Sequence, residues 1–282
     1  MIEKAIGCYS LNMSRKLVDF KGFKFFIETA GDHYGLEFWE SLENRLWEPD
    51  TLDFMERELD GDSLLFDIGA ANGSISLIAA SYGSQVVAYE PNPTVFKVCK
   101  KNLELNPELN NKVNLKLAAV SNRAGTLTFE AGSNSAVITD ISIGIHSDSK
   151  TLIPILDLSN ELHEYADGVG KKIIIKMDIE GAEFRILQDI PSLLAMSKCN
   201  AKLLLAIHPG FYRPVRDVMF LRSLRTKIFI IQNYFEAVRM FKTISEFASF
   251  NRTNLNPIKS AKLFGLLVIS GYHEFIIDFG RC

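Results

Sequence analysis

Leu64-Leu65-Phe66-Asp67-Ile68-Gly69-Ala70-Ala71-Asn72-Gly73 is the stretch that decides the fold, together with the second apolar run Val86-Val87-Ala88-Tyr89 and the Glu90 that follows it. Each apolar run is typical of a buried strand, and each meets an acidic residue at or near its end. The first run continues into a turn that contains two glycines. This order predicts a strand–helix–strand unit with a nucleoside-sized ligand at the carboxyl ends of its strands.

The turn carries residue types suited to a polar ligand. Gly69 and Gly73 permit a tight turn and a close approach of the backbone, because glycine has no Cβ. The helix that starts near Gly73 offers free N–H groups and a positive dipole end to an anionic group. Glu90 is placed to accept hydrogen bonds from both ribose hydroxyls, and Asp67 to hold the loop or a ligand ammonium group. The alternative is that the glycines only allow the helix to pack on the strand.

The positions of the glycines separate the cofactor classes. A nicotinamide dinucleotide fingerprint that starts at Gly69 requires glycines at positions 71 and 74, where this chain has Ala71 and Ser74. A GxxxxGK[ST] phosphate loop does not occur in the sequence. The spacing Asp-x-Gly-x-x-x-Gly with a later acid fits S-adenosylmethionine, which has a carboxylate and a ribose but no phosphate. We therefore expect S-adenosyl-L-methionine as the cofactor.

Strand and helix patterns alternate beyond this unit, which predicts a doubly wound α/β sheet. The expected strands are about 63–68, 84–90, 113–120, 173–177 and 203–207, with extra pieces at 126–130 and 151–157. The expected helices are about 73–81, 93–106, 181–195 and 214–225. Residues 227–232 and 263–270 read as strands, and the connection over 233–258 has no clear pattern.

The chain before the first strand reads as a separate extension. We divide the chain into an N-terminal extension over residues 1–60, on the lid or substrate side, and a Rossmann-like domain over residues 61–282. In the extension, residues 23–27 and 36–39 resemble a hairpin around Gly31-Asp32. Residues 49–59 read as a helix.

Composition limits the classes of protein and partner. The chain has 282 residues, 47% of them hydrophobic, and a net charge of −3, which argues against dedicated nucleic-acid binding. Between Lys198 and Lys262, twelve basic residues stand against three acidic ones. These are either solvated helix faces or a surface that attracts an anionic substrate or a membrane. The composition does not predict the oligomeric state.

Cysteine usage and the N-terminal sequence bear on the compartment. The four scattered cysteines do not form a zinc pattern and suit a reducing compartment. With neither a leader pattern nor an apolar run of about 18 residues, the expectation is a cytoplasmic protein without a transmembrane segment.

These patterns resemble class I S-adenosylmethionine-dependent methyltransferases and, more closely, the FkbM family. The resemblance covers about residues 45–210, and the last 70 or so residues carry no matching motif. Its most specific part is Lys176-Met177-Asp178-Ile179-Glu180-Gly181-Ala182-Glu183. Its other parts are Trp47-Glu48-Pro49, the stretches from Asp67 to Gly73 and from Glu90 to Pro93, Asn102 to Asn106, Ala118 to Ser121, and Leu156-Asp157.

The resemblance implies a Rossmann-like, mostly parallel seven-stranded sheet and a set of cofactor contacts. The implied cofactor contacts are Asp67, Gly69, Ala70, Asn72, Gly73 and Glu90. It also implies that Ala119, at the end of the third strand, contacts adenine, and that Glu48 covers the cofactor from the N-terminal side. One departure concerns the fifth strand, where the family often has an acid before the histidine and this chain has Ala206-Ile207-His208. A mechanism that requires that acid is not supported.

Transfer of a methyl group to a hydroxyl requires a base at the end of the fourth or fifth strand. Our candidates are Asp178, Glu180 and His208. A histidine side chain ordinarily titrates near neutrality. Each has a structural alternative: Asp178 as a helix cap, Glu180 as a first-turn acid, and His208 as a packed histidine. We assign no metal, although these three residues together have the donor types for a divalent cation. Glu183 is expected to be structural, paired with Lys176 or Arg185.

The expected activity is O-methylation of a hydroxyl on a sugar, a glycan or another small metabolite. The alternative activities are methylation of nitrogen or a carboxylate on an anionic acceptor, or of RNA or a lipid-linked glycan. A third possibility is a binding module that has kept the fold and lost catalysis, since a fold does not fix a function.

Overall fold

The computed structural model describes residues 15–29, 35–130, 150–166, 170–179, 183–207, 222–252, 257–269 and 274–280. The strands in these ranges are β1 (Arg15–Phe20), β2 (Phe23–Glu28), β3 (Ser63–Ile68), β4 (Gln85–Tyr89), β5 (Val113–Lys116), β6 (Ala119–Ser121), β7 (Gly125–Glu130), β8 (Lys150–Asp157), β9 (Lys172–Met177), β10 (Lys202–Ala206), β11 (Ser249–Arg252) and β12 (Glu274–Asp278). The helices are α1 (Gly35–Glu43), α2 (Pro49–Glu58), α3 (Ser74–Ser81), α4 (Pro93–Glu104), α5 (Pro107–Asn110), α6 (Leu158–Ala166), α7 (Glu183–Ile186), α8 (Ile190–Lys198), α9 (Arg222–Ile244) and α10 (Ala261–Ile269).

Seven strands form one mostly parallel sheet in the order β11-β12-β10-β9-β3-β4-β5. The five strands from β10 to β5 pair in parallel, whereas β12 is antiparallel to both β10 and β11. The chain proceeds from β3 to β4 on one side and later returns to β9 on the other. The strand order therefore reverses at β3, which is where open α/β sheets bind their ligands. This architecture confirms the predicted α/β class and the seven-stranded, Rossmann-like sheet.

Apolar layers cover both faces of the sheet. Phe66, Ile175 and Leu205 point into a core that contains α6 to α10. Their neighbours Leu65 and Ile174 point the other way, into a core that contains α1 to α5 and the β1–β2 hairpin. Central strands buried on both faces read as continuous apolar runs, which is why the sequence pattern located them. None of the described helices is both long and apolar enough to cross a membrane.

The N-terminal hairpin differs from the predicted one. The partner of β2 is β1, in antiparallel register, and residues 36–39 belong to α1. The reason is helical spacing of buried residues: Trp39 and Leu42 lie on one face of α1 and enter the core. The helix predicted at 49–59 is confirmed as α2.

The third predicted strand is divided into two pieces. β5 ends at Lys116, and β6 belongs to a separate three-stranded sheet in the order β6-β8-β7. The predicted extra strands at 126–130 and 151–157 are confirmed as β7 and β8. The helix predicted at 181–195 is also divided, because Asp189 caps a new helix, α8, through its side chain and the N–H of Ser192.

Two strand predictions in the C-terminal third are wrong. Residues 227–232 lie in the 23-residue helix α9, and residues 263–269 lie in α10. In α9, Asn233, Ala237, Met240 and Ile244 are buried at spacings of three and four, so the burial period is that of a helix. The helix predicted at 214–225 falls mostly outside the described residues. The last two strands, β11 and β12, were not predicted.

Candidate functional site

The candidate site lies at the carboxyl ends of β3, β4 and β9, where the strand order reverses. Residues 69–73, which we call the glycine loop, connect β3 to α3. The loop is tied to β4 because the N–H groups of Gly69 and Ala70 both donate to the carbonyl oxygen of Tyr89, at 3.0 Å. A further bond from Gly73 N to Ala70 O, at 2.8 Å, closes the turn. The predicted loop residues thus lie together beside the end of the next strand.

Two loop positions require glycine for conformation and for space. Gly69 has φ +87° and Gly73 has φ +83°, both in the left-handed region. A Cβ on residue 69 would lie 2.0 Å from the backbone oxygen of Asp178, and one on residue 73 would lie 2.8 Å from Cys99 Sγ. The absence of a side chain at Gly69 therefore lets the ends of β3 and β9 pack directly against each other.

Glu90 is held in place by backbone donors. Its Oε2 accepts a hydrogen bond from Ala71 N at 3.0 Å, and its Oε1 accepts one from Asn92 N at 2.8 Å. Burial raises the pKa of Glu90 to about 7, although these two N–H groups act in the opposite direction. Each carboxylate oxygen keeps a further lone pair, so Glu90 can still accept hydrogen bonds from two ligand hydroxyls.

Asp67 is fully buried beneath the loop. Ser76 Oγ donates to its Oδ2 at 2.6 Å, and burial raises the pKa of Asp67 above its usual value. Its Oδ1 accepts no hydrogen bond from the described residues, and Lys176 Nζ lies 3.9 Å away. Burying a carboxylate oxygen without a hydrogen-bond donor costs free energy. A ligand cation at Asp67 Oδ1 would offset that cost.

Asn72 lies in the glycine loop just before α3 and, among the described residues, has an open buried donor, whereas Asp67 has an open buried acceptor. The Oδ1 of Asn72 accepts from Ser74 N at 3.2 Å, and its backbone oxygen accepts from Asn102 Nδ2 at 2.8 Å. Its Nδ2 is buried and has no hydrogen-bond partner among the described residues. The loop region therefore contains one buried acceptor, on Asp67, and one buried donor, on Asn72, that the described protein groups leave open.

Lys176 is a central site residue that the sequence motifs did not mark as one. Its Nζ donates to the backbone oxygen of Gly69 at 2.8 Å and lies 3.6 Å from Asp178 Oδ2. Only 9% of the side chain is exposed. Burial lowers the pKa of Lys176, but Asp178 and Asp67 outweigh this effect and raise it above its usual value. The signal in the sequence was a lysine two residues before Asp178, a spacing that places both on one face of the chain.

Asp178 lies where a base for the acceptor was expected. Its backbone N–H donates to Ile68 O at 3.0 Å, which fixes it beside the end of β3, and its side chain is 28% exposed. The other two catalytic candidates, Glu180 and His208, lie outside the described residues. Glu183 is fully buried, and its Oε1 accepts a hydrogen bond from Ile179 N at 3.4 Å.

Two further acids approach this edge from distant parts of the chain. Glu48 precedes α2 with φ +38° and acts electrostatically on Lys176. Glu274 begins β12 opposite Ala206, and it was missed because only the antiparallel pairing of β12 brings it to this edge. Burial, together with Glu48 and Asp50, raises the pKa of Glu274 to about 7. No three His, Cys, Asp or Glu side chains among the described residues are grouped to hold a metal ion.

Ala119 does not end the third strand, as the resemblance implied. It begins β6, three residues after the last residue of β5, and is almost fully buried. The chain leaves the main sheet at Leu117, so Ala119 pairs with Ile155 of β8 instead. Its contact with adenine stays a prediction.

A family model described as "Methyltransferase FkbM domain" matches residues 67–242. The chain belongs to the FkbM methyltransferase family. The match starts at Asp67 and includes the glycine loop, Glu90, Lys176 and Asp178. The geometry described for these residues therefore belongs to the part of the chain that matches a methyltransferase domain.

Solved structures similar to this FkbM-family chain include methyltransferases. A putative rRNA-methylase from Clostridium thermocellum is 11% identical with a TM-score of 0.36, and the alignment covers 82% of this chain and 93% of that one. A TehB-like SAM-dependent methyltransferase from Corynebacterium glutamicum is 11% identical with a TM-score of 0.37, and covers 87% and 97%. In the complex of aTrm5 with tRNALeu, 37% of this chain matches 28% of that one, with 18% identity and a TM-score of 0.26. No curated protein sequence matches the chain.

Proposed function

We propose that this FkbM-family protein is an S-adenosylmethionine-dependent methyltransferase whose cofactor is bound by the glycine loop and Glu90. The observation that carries the proposal is the position of Glu90. Its carboxylate is fixed by Ala71 N and Asn92 N directly beside the loop, and it keeps acceptor capacity for ribose hydroxyls. When bound, the cofactor supplies a sulfonium methyl group to an acceptor.

The open polar atoms support the same cofactor. S-adenosylmethionine ends in an α-ammonium and an α-carboxylate group. Asp67 Oδ1 is a buried acceptor without a close donor and Asn72 Nδ2 a buried donor without an acceptor, so the two match these groups in type. The backbone around Ala70 and Gly73 completes the proposed set of contacts, with Glu48 and Ala119 at its margins.

The charge of the site argues against phosphate-bearing cofactors. Asp67 and Glu90 are both buried near the loop, and Asp178 lies beside it. Among the described residues, the basic side chain of Lys176 lies within 4.0 Å of both the Asp67 and the Asp178 carboxylates. A polyphosphate would be repelled by these acids, whereas a cofactor with a sulfonium and an ammonium group is attracted.

We further propose that the acceptor is a hydroxyl on a sugar, a glycan or a small metabolite. Asp178 is the proposed base, because it is partly exposed at the carboxyl edge and its side chain is oriented by Lys176. Glu180 and His208 remain proposed partners of Asp178. The extension over residues 1–60 is proposed to cover the cofactor through Glu48. The basic C-terminal third favours an anionic acceptor as the second candidate.

Isothermal titration calorimetry with S-adenosylmethionine tests the cofactor. We expect binding by the wild type and a loss of about 100-fold or more in affinity for Glu90→Ala, since several charge-assisted hydrogen bonds are removed. Glu104→Ala is the matched control, because Glu104 is an exposed glutamate on the next helix. Absence of binding by the wild type, or equal affinity for the two variants, contradicts the proposal.

Transfer of labelled methyl groups to a panel of sugars, phenols, carboxylic acids and amines tests the reaction. Asp178→Asn should lower turnover on a hydroxyl acceptor by about 10²-fold or more. Its affinity for S-adenosylmethionine should change little. If the wild type binds the cofactor and methylates none of the panel, the binding-module alternative is favoured.

A further inference from the structure

The outer side of α9 and α10 is apolar and basic at the same time. Ile231 and Phe235 are 53% and 63% exposed on α9, and Leu263 and Leu266 are 40% and 45% exposed on α10. Exposed basic residues accompany them: Arg239, Lys242, Lys259 and Lys262. We call these eight residues the α9–α10 face.

These residues form one surface because the two helices pack closely. A Cβ on Gly265 of α10 would lie 2.8 Å from the ring of Tyr234 and 3.0 Å from Val238 Cγ2 of α9. Phe235 and Leu266 directly follow Tyr234 and Gly265, so both flank the crossing point. The opposite sides of the helices are core, where Phe241 and Phe264 lie 5.5 Å apart between ring centroids.

Helical spacing keeps the apolar and basic residues together. Phe235 lies four residues after Ile231, and Lys242 lies seven residues after Phe235, so the three share one side of α9. On α10, Leu266 lies four residues after Lys262. Two acidic residues stand against the four basic ones of this face: Glu236 of α9, whose Oε2 accepts a hydrogen bond from Gln188 at 3.2 Å, and the exposed Glu246 that follows α9. The face is thus positive on a chain whose net charge is −3.

We propose that the α9–α10 face docks on an anionic phospholipid surface. Apolar side chains flanked by lysine and arginine, on helices that lie in the plane of the interface, are the composition that such surfaces select. The apolar side chains enter the boundary of the acyl chains, and the basic ones contact the lipid phosphates. The protein then lies on the membrane with α9 and α10 against the lipid. The proposal does not depend on the identity of the cofactor.

Co-sedimentation with vesicles tests the proposal. We expect the wild type to bind vesicles of equal parts phosphatidylcholine and phosphatidylglycerol but not vesicles of phosphatidylcholine alone. Phe235→Ser combined with Leu266→Ser should weaken binding by about tenfold or more. Lys242→Gln and Lys262→Gln should each weaken it by about fivefold, and added salt should weaken the wild type.

A matched control is available on α8. Ile190 and Leu194 are also four residues apart and are 44% and 53% exposed. Ile190→Ser combined with Leu194→Ser should leave vesicle binding unchanged, and melting by circular dichroism should show that all variants are folded. Absence of binding by the wild type, or an equal loss in the α8 control, overturns the proposal. So does a wild-type dimer in light scattering that Phe235→Ser with Leu266→Ser dissociates, since the face would then join two copies of the chain.

Discussion

The glycine loop and the α9–α10 pair both contain a close contact between two elements, but the atoms in contact differ. In both places a glycine lets two elements approach closely. At Gly69 the space of a Cβ is taken by the backbone oxygen of Asp178, whereas at Gly265 it is taken by the ring of Tyr234. The backbone of Asp178 follows β9 directly and is held by the bond from its N–H to Ile68 O, so its oxygen cannot move without disturbing that bond, whereas a ring can rotate. We therefore expect substitution of Gly69 to destabilise the protein strongly, and substitution of Gly265 to be tolerated.

Gly69→Ala should have the largest effect. The new Cβ would lie 2.0 Å from Asp178 O, and the residue would have to keep φ +87°. We expect a loss of about 3–5 kcal/mol in the free energy of unfolding, measured with urea, and no detectable binding of S-adenosylmethionine. Gly125→Ala is the control, because its Cβ would lie at an ordinary 3.7 Å from Ile155 Cδ1. A variant as stable as this control would disprove the rigidity of the loop.

Lys176→Met should have the second largest effect. The variant removes the cation between Asp67 and Asp178 and the donor to Gly69 O, which leaves the buried carboxylate of Asp67 uncompensated. We expect the free energy of unfolding at pH 8 to fall by about 3 kcal/mol. Lys172→Met is the control: its ion pair with Asp60 is exposed, so about 0–1 kcal/mol is expected. Equal losses in the two variants would mean that the buried network does not stabilise this edge.

The glycine loop and its flanking elements were predictable because their determinants are local. The strand at 63–68 was predicted with its observed bounds, and α4 begins at the predicted Pro93, where Asn92 caps it through its side chain. An apolar run, an acid and a glycine are neighbours in the sequence, so one short window contains the whole signal. The same holds for Glu90, which follows its strand directly.

The α9–α10 pair was not predictable in this way, because tertiary burial decides its structure. Lys227-Ile228-Phe229-Ile230-Ile231 has the composition of a strand, yet it belongs to a helix whose buried face is set by packing against β11 and α10. Lys176 and Glu274 were missed for a related reason. Lys176 bonds Gly69, which is 107 residues away, and Glu274 reaches the edge only through β12. In both cases the contact joins residues far apart in the sequence, so a short stretch of sequence does not reveal it.

The pH dependence of cofactor affinity should be intermediate in size. Because the pKa of Glu90 is raised to about 7 in the ligand-free protein, its carboxyl is protonated below that pH. Ribose hydroxyls donate to the ionised form, so a proton must leave on binding at low pH. The affinity for S-adenosylmethionine should be constant above about pH 7 and fall by up to tenfold per pH unit below it. Calorimetry from about pH 5.5 to 8.5 measures this slope, which Glu90→Gln should abolish; a flat wild-type profile would exclude Glu90 as the titrating contact.

Gly265→Ala should have the smallest effect, and it tests whether the α9–α10 crossing tolerates an added side chain. The added Cβ would lie 2.8 Å from the Tyr234 ring, which can turn away, and alanine favours a helix by about 1 kcal/mol over glycine. The two effects oppose each other, so we expect a change of about 1 kcal/mol or less in the free energy of unfolding. In a Tyr234→Ala background the ring is gone and Val238 Cγ2, at 3.0 Å, is the remaining close neighbour, so the same substitution should be more favourable than in the wild type by up to about 1 kcal/mol. If Gly265→Ala instead costs as much as Gly69→Ala, the α9–α10 crossing is as rigid as the glycine loop, and backbone contact is not what distinguishes the two regions.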